Sequence, residues 1–348
     1  MTDPTRADNP GQATRGAVAV ADPVAPTATA AAAWRQRVQQ LLAVAGLVAI
    51  VIVFAVMNPA VFATYDNFTT ILFSTVVVGL LSLGATMVII TGGIDLSCGT
   101  GMALSAVMSA TFIVTWGIPV PLGVVLAVLF GGLLGFVNGA NVTFLGLPPF
   151  IATLAMMLVC QGLALVVSKS APIYFSDHPS YSDLSGGNLI PSFPNAVIVY
   201  ALAAVIAAVL LSRTLLGRYA LSIGSNEEAT KLSGINVRKW LIIVYAVAGM
   251  FTGLAGVMIS ARLGSAQPAT GAGYELQAIA AVVIGGTSLS GGKGSIVGTV
   301  IGALIIAVLN NGLQLNSVPQ EWQNVILGIV ILLAVYADQL RTRREAVH

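Results

Sequence analysis

Apolar segments long enough to cross a membrane occupy most of this chain. A membrane-spanning helix needs about 20 predominantly apolar residues. Charged residues make up only 8% of the chain, against about 25% in an ordinary soluble domain, so they cannot cover a water-facing surface. We therefore predict an all-α polytopic membrane protein. The ten candidate spans lie at about 38–57, 68–91, 99–116, 119–139, 148–168, 195–215, 240–261, 274–290, 295–312 and 321–338.

Basic residues fall into three clusters that orient these segments. Cytoplasmic loops of membrane proteins carry an excess of Lys and Arg. Six candidate spans separate the first cluster from the second, and four separate the second from the third, so all three are predicted on the cytoplasmic side. Both termini are then cytoplasmic, and the loop 169–194 faces outward. The clusters are Arg6, Arg15, Arg35 and Arg37; Arg213, Arg218, Lys231, Arg238 and Lys239; and Arg341, Arg343 and Arg344.

The first 33 residues differ in composition from the rest of the chain. They contain no Leu, Ile or aromatic residue, and such a segment buries too little apolar surface to offset the entropy cost of ordering. We predict a disordered cytoplasmic tail at 1–33, a transmembrane domain at 34–340 and a cytoplasmic C-terminal tail at 341–348. The first apolar run is too long for the core of a secretory signal.

Two glycine-rich stretches resemble each other. Residues 92–101 read GGIDLSCGTG and residues 285–294 read GGTSLSGGKG. Chance is one explanation in a chain with 37 glycines. The other is a duplicated helix break at membrane depth, where unwound backbone is tolerated only if it is packed in protein or lines a cavity. The spans near 99, 274 and 295 are accordingly expected to be short, broken or re-entrant, and the two stretches to lie on the same side.

The chain lacks the sequence signs of catalysis. Cys98 and Cys160 lie in or beside apolar segments and are predicted to be buried small residues rather than a disulfide or metal pair. The stretch around Lys293 fails the phosphate-loop pattern, because Thr287 replaces its first glycine and Gly294 its final Ser or Thr. We expect no catalytic residue, no metal ligand and no cofactor on this chain, which disfavours a membrane-embedded enzyme.

Two carboxylates lie near the apolar interior. Ionisable groups at membrane depth are costly and often functional. Asp95 either caps the helix that starts near Ser97 or belongs to a transport pathway. Glu275 likewise either stabilises the start of a helix or lines a path.

Neutral amides also occur inside or at the ends of the apolar segments. Amides suit a path for a neutral, hydroxyl-rich solute, but they also link helices in lipid. With Asp95 and Glu275, the candidates for a translocation path are Asn138, Gln161, Asn310 and Asn311; Asn141 and Gln314 are further amides of the same kind.

The central charged segment, Gly217–Lys239, reads GRYALSIGSNEEATKLSGINVRK. Asn226 is placed to cap a helix, with Glu227 and Glu228 in its first turn and Gly234 at its end. A cytoplasmic helix of about two turns is predicted. A plain surface helix is the simple alternative to a docking element.

This segment resembles the coupling segment of the permeases of ribose-type bacterial ABC sugar importers. The signature E-A-A-x-x-x-G of ABC importers is matched by Glu228, Ala229 and Gly234, with Thr230 in place of the second Ala. Three other stretches resemble the same family: GGIDLSCGTGMALSA, PFIATLAMM and the long stretch Ala261–Ile305. The resemblance covers about Trp34 to Asp338.

The resemblance implies an inner-membrane permease of about ten helices that pairs with a second copy. It also implies a cytoplasmic ATPase, which binds ATP and magnesium, and an external sugar-binding protein. Transport of ribose or a related monosaccharide would proceed by alternating access. Coupling to the ATPase would use Asn226, Glu227, Glu228, Ala229 and Gly234. The competing hypothesis is an ion- or proton-coupled secondary transporter that uses Asp95 and Glu275.

Overall fold

The computed structural model describes residues 27–191 and 193–346, and it is built almost entirely of helices. Strands are confined, within these residues, to one antiparallel pair, β1 (Ile173–Tyr174) and β2 (Ser265–Ala266). The helices are α1 (Thr27–Met57), α2 (Pro59–Phe62), α3 (Tyr65–Ile90), α4 (Cys98–Ala110), α5 (Val120–Phe144), α6 (Pro149–Ser168), α7 (Pro179–Gly186), α8 (Asn195–Arg213), α9 (Leu215–Ser225), α10 (Glu227–Leu232), α11 (Val237–Leu263), α12 (Tyr274–Ile284), α13 (Ile296–Leu315) and α14 (Gln320–Ala346).

The helices confirm the predicted fold class. Within the described residues, eight apolar helices are long enough to cross a membrane, with α4 counted together with the π-helical turn Thr111–Thr115 that continues it. Two further apolar helices, Ala43–Met57 within α1 and the whole of α12, are shorter. All ten predicted segments are therefore helical. The predicted span 274–290 is wrong in length, because α12 ends at Ile284 where Gly285 and Gly286 follow, and Gly286 adopts a positive φ of 87°.

The chain divides into two units, residues 1–38 and 39–348. In the first unit, residues 1–26 of the predicted tail lie outside the described residues. Helix α1 begins at Thr27, within the predicted tail, where a run of alanines with high helix propensity follows. The second unit contains the rest of α1, helices α2 to α14 and both strands.

Helices α3 and α11 form the centre of the second unit. Long stretches of both are buried. Helix α11 approaches α5 so closely that a Cβ atom on Gly135 would lie 2.0 Å from the carbonyl oxygen of Tyr245. A Cβ atom on Gly131 would lie 2.4 Å from the carbonyl oxygen of Gly249. Small residues let backbones approach in this way at helix interfaces in membranes.

At the end of α11 opposite the charged segment, the β1–β2 pair joins the loop after α6 to the loop after α11. The short helix α7 is held there by Tyr181. Its hydroxyl lies 2.7 Å from Ser260 Oγ on α11 and 2.9 Å from Ser109 Oγ on α4. Burial raises the pKa of Tyr181 to about 12, although both serine contacts lower it. The phenol therefore stays protonated and can donate to a serine.

The two cysteines confirm the prediction made for them. Cys98 and Cys160 are free and buried, and both belong to the main hydrophobic core.

Candidate coupling and transport site

Helix α10 has the ends predicted from the sequence. The Asn226 side chain accepts a hydrogen bond from the Ala229 backbone amide at 2.9 Å. Thr230, which replaces the second Ala of the signature, is buried, and its hydroxyl donates to the Asn226 carbonyl at 2.8 Å. Gly234 has a φ of 80°, a conformation that glycine adopts without strain at helix ends. Thr230 therefore helps to fasten the helix at its start.

The outward face of α10 combines charge with an exposed apolar side chain. Glu228 is exposed, and Leu232 is 90% exposed. Glu227 and Lys231 form an ion pair one turn apart. The exposed face of α10 therefore carries Glu228, the Glu227–Lys231 pair and Leu232.

Helix α9 ends against both glycine-rich stretches. The Gly292 amide donates a hydrogen bond to the Ile90 carbonyl at 2.8 Å, so the two stretches lie on the same side, as predicted. A Cβ atom on Gly224 would lie 1.9 Å from the Ile90 carbonyl oxygen and 2.5 Å from the Gly292 nitrogen. The backbones of α3, α9 and the α12–α13 loop therefore meet at one point, two residues before the Asn226 cap.

The segment between α3 and α4 is unwound and is held by polar side chains. The Asp95 carboxylate accepts hydrogen bonds from the Ser97 amide at 2.8 Å and from the Ser97 hydroxyl at 2.7 Å. Asn138 on α5 donates to Ser97 Oγ at 2.8 Å. Thr153 on α6 accepts from the Leu96 amide at 3.2 Å. Asp95 is 5% exposed, and its hydrogen bonds come from Ser97, the residue before α4, and not from an amide in the first turn of that helix.

A second polar group lies on α12 and α13. Asn310 donates to Gln277 Oε1 at 3.0 Å, and both side chains are half-buried. Glu275 lies two residues before Gln277 in α12. Its Oε1 accepts a hydrogen bond from the Gly273 amide. Its other oxygen, Oε2, is buried without a hydrogen-bond partner in the described part of the chain.

The remaining predicted path residues are separate from these two groups. Asn311 is buried and donates to Asn67 Oδ1 on α3 at 2.8 Å. Gln161 is exposed on α6, a helix that packs against α4 and α5. The structure thus brings Asp95 and Asn138 together through Ser97. It places Asn310 beside Gln277 and the Glu275 carboxylate against Gly99 on α4, so it does not gather all six.

Sequence reasoning missed three polar residues that complete these groups: Ser97, Thr153 and Gln277. Gln277 was open to prediction, since it follows Glu275 by two residues inside an apolar run. Ser97 and Thr153 gave no signal, because isolated Ser and Thr are common in apolar helices.

A cavity of about 760 Å³ lies beside α10. Its walls come from the unwound segment after α3, the end of α5, the start of α6, α10 and the first three turns of α11. Glu227 and Lys231 line it at the α10 side.

Residues 67–335 match the family model described as branched-chain amino acid transport system / permease component. This chain is a member of that permease family. It is 43% identical over 310 residues to the ribose import permease protein of Escherichia coli strain K12, covering 88% of this chain and 94% of that protein. It is 44% identical over 297 residues to the ribose import permease protein of Bacillus subtilis strain 168, covering 85% and 92%.

A fructose import permease protein of Rhizobium meliloti is 37% identical over 301 residues, covering 84% of this permease and 83% of that protein. No solved structure matches this permease. Its family and its apolar helices make it a multi-pass protein of the bacterial inner membrane. It is the membrane component of a transport system.

Proposed function

We propose that this permease carries ribose or a related monosaccharide into the cytoplasm as part of an ATP-driven importer. The relatives named above are import permeases for ribose and fructose. The observation that carries the proposal is the geometry of α10. It offers an exposed face with Glu228 and Leu232 and is joined at Asn226 to the point where α9 meets both glycine-rich stretches.

A separate cytoplasmic ATPase supplies the energy and holds ATP and magnesium. It docks on the coupling residues Asn226, Glu227, Glu228, Ala229 and Gly234. When ATP closes the ATPase, α10 moves and displaces Gly224 against Ile90 and Gly292. Those contacts transmit the motion to α3 and to the α12–α13 loop, because close-packed backbones shift together rather than deform.

A second copy of the permease completes the path, and an external binding protein delivers the sugar. The half-buried amides of Gln277 and Asn310 suit a hydroxyl-rich solute, because neutral amides both donate and accept hydrogen bonds. Polar side chains left exposed at membrane depth are expensive unless they face protein or water. We therefore assign the sugar path to this face of α12 and α13 rather than to Asp95, which is buried and bonded to Ser97.

Charge reversal at Glu228 tests the docking assignment. Glu228→Lys is expected to abolish co-purification with the ATPase and sugar uptake, because the outward charge of α10 changes sign while its Asn226 cap remains. Glu321→Lys, at the exposed start of α14, is the matched control and should retain both. Normal uptake by Glu228→Lys at wild-type expression would refute the docking role of α10.

A further inference from the structure

The loop between α12 and α13 has little stiffness of its own. Gly286, Gly291 and Gly292 have positive φ values of 87°, 82° and 73°, and glycine loses more conformational freedom on ordering than any other residue. The position of this loop must therefore be fixed by its neighbours. On one side, the Gly292 amide is bonded to the Ile90 carbonyl, and Gly224 packs against both.

On the other side, the loop is fastened to α14. The Leu289 amide donates a hydrogen bond to Asp338 Oδ2 at 3.3 Å, across 49 positions of the sequence. Both residues are half-buried. The Leu289 side chain packs against a buried cluster formed by Ala85, Ile89 and Val282. The tip of the loop is therefore held by α3, α12 and α14 together.

An aspartate at position 338 is not explained by the rest of α14. Between Gln320 and Leu340, the only other charged residue is Glu321, at the start of the helix. A carboxylate in an apolar membrane helix is costly, and aspartate is a weak helix former. The hydrogen bond from Leu289 gives this carboxylate a partner, so the loop rather than the helix accounts for an acidic residue here.

Helix α14 is attached to the transport domain upstream of Asp338. Leu327 is buried in a cluster that contains Ala280 and Ala281 of α12. Ile331 packs against the same cluster. Asp338 follows Leu327 by 11 residues, which corresponds to about 16 Å along the helix axis. One continuous helix therefore joins the body of α12 to the loop that follows it.

We propose that Asp338 is a positioning residue for energy coupling, an inference that rests on the proposed function. In that scheme, α9 presses on the loop at Gly224 when the ATPase closes. A glycine-rich loop that is free at its tip yields to this push. A loop fastened to α14 passes the push to α12 and α13, because packed elements shift as units. Loss of the bond between Leu289 and Asp338 therefore lets ATP be hydrolysed without movement of sugar.

The ratio of ribose transported to ATP hydrolysed tests this role, in vesicles that contain the full-length permease, its ATPase and its binding protein. We expect Asp338→Ala to lower this ratio about tenfold while ATP hydrolysis persists. Asp338→Asn should restore most of it, because an amide oxygen still accepts a hydrogen bond from the Leu289 amide. Gln339→Ala is the matched control, since Gln339 is the adjacent exposed residue on α14.

Hydrogen–deuterium exchange of the purified permease tests the contact itself, without ATPase or sugar. The peptide that contains Leu289 should exchange faster in Asp338→Ala than in Asp338→Asn or Gln339→Ala. Equal exchange in the three variants would overturn the proposal.

The transport assay separates this role from simple stabilisation. A folding defect lowers membrane abundance and reduces ATP hydrolysis and uptake in proportion, and that result for Asp338→Ala would overturn the proposal. An unchanged ratio in Asp338→Ala, or an equally low ratio in Asp338→Asn or Gln339→Ala, would do the same. Ribose uptake by the unmodified permease that needs no ATP would refute the proposed function, and this inference with it.

Discussion

Single residues decide whether the backbones of this permease meet. Gly224 lies where α9 touches Ile90 and Gly292, and the calculated Cβ distances of 1.9 and 2.5 Å are far below any tolerated contact. Both neighbours are backbone atoms, which do not move aside as a flexible side chain does. This glycine is therefore required by packing, and the packing joins the coupling segment to both glycine-rich stretches.

Substitution of Gly224 should damage coupling more than it damages membrane insertion. Gly224→Ala forces α9 away from Ile90, with an overpacking cost of about 1–3 kcal/mol, and we expect loss of most uptake at normal membrane abundance. Gly162→Ala on α6 is the control, because a Cβ atom there has nothing within 4 Å. Equal uptake by the two variants would refute the Gly224 assignment.

Tyr181 offers a test of the end of the molecule opposite α10. Tyr181→Phe removes a buried hydroxyl bonded to Ser109 and Ser260, and we expect a loss of about 1–3 kcal/mol in stability, seen as a lower melting temperature. Tyr174→Phe is the control, because Tyr174 is 62% exposed on β1.

The same residue predicts a pH dependence. Its pKa in the folded protein is raised to about 12, from an ordinary value of 10. The unfolded chain therefore loses the phenolic proton first, and the stabilisation is present below pH 10 and declines as the pH rises towards 12. The melting-temperature difference between unmodified permease and Tyr181→Phe should shrink over this interval, and a constant difference would contradict the role given to the hydroxyl.

At the scale of the elements, hydrophobicity predicted the positions of the helices better than glycine and amide patterns predicted their ends and polar contacts. The long apolar helices and the capped α10 follow from local sequence, because membrane-spanning length and Asn capping are local properties. The break expected near α12 falls at Gly285–Gly286, so the span predicted to run to residue 290 ends six residues earlier, at Ile284. The partners of Asp95 and Asn138 depend on how α4, α5 and α6 pack, which one sequence does not specify. Gln161 shows that residue type alone does not place an amide in the interior.

At the scale of the whole molecule, the composition of the first residues separates them from the transport domain. Deletion of residues 2–26 stops before α1 begins at Thr27. We expect near-normal uptake and membrane abundance, because this segment has no Leu, Ile or aromatic residue with which to build a core. Complete loss of uptake at normal abundance would show that the segment docks or regulates.

The central claim is that energy enters through α10 from ATP and not through an ion bound at Asp95 or Glu275. The most direct measurement is sugar uptake by vesicles that contain the permease, its ATPase and its binding protein, with ATP held constant inside and an uncoupler present. We predict that uptake requires ATP, persists without a proton or sodium gradient, and keeps that energy source in Asp95→Asn. Collapse of uptake with the gradient while ATP is unchanged would contradict this account and establish a secondary transporter.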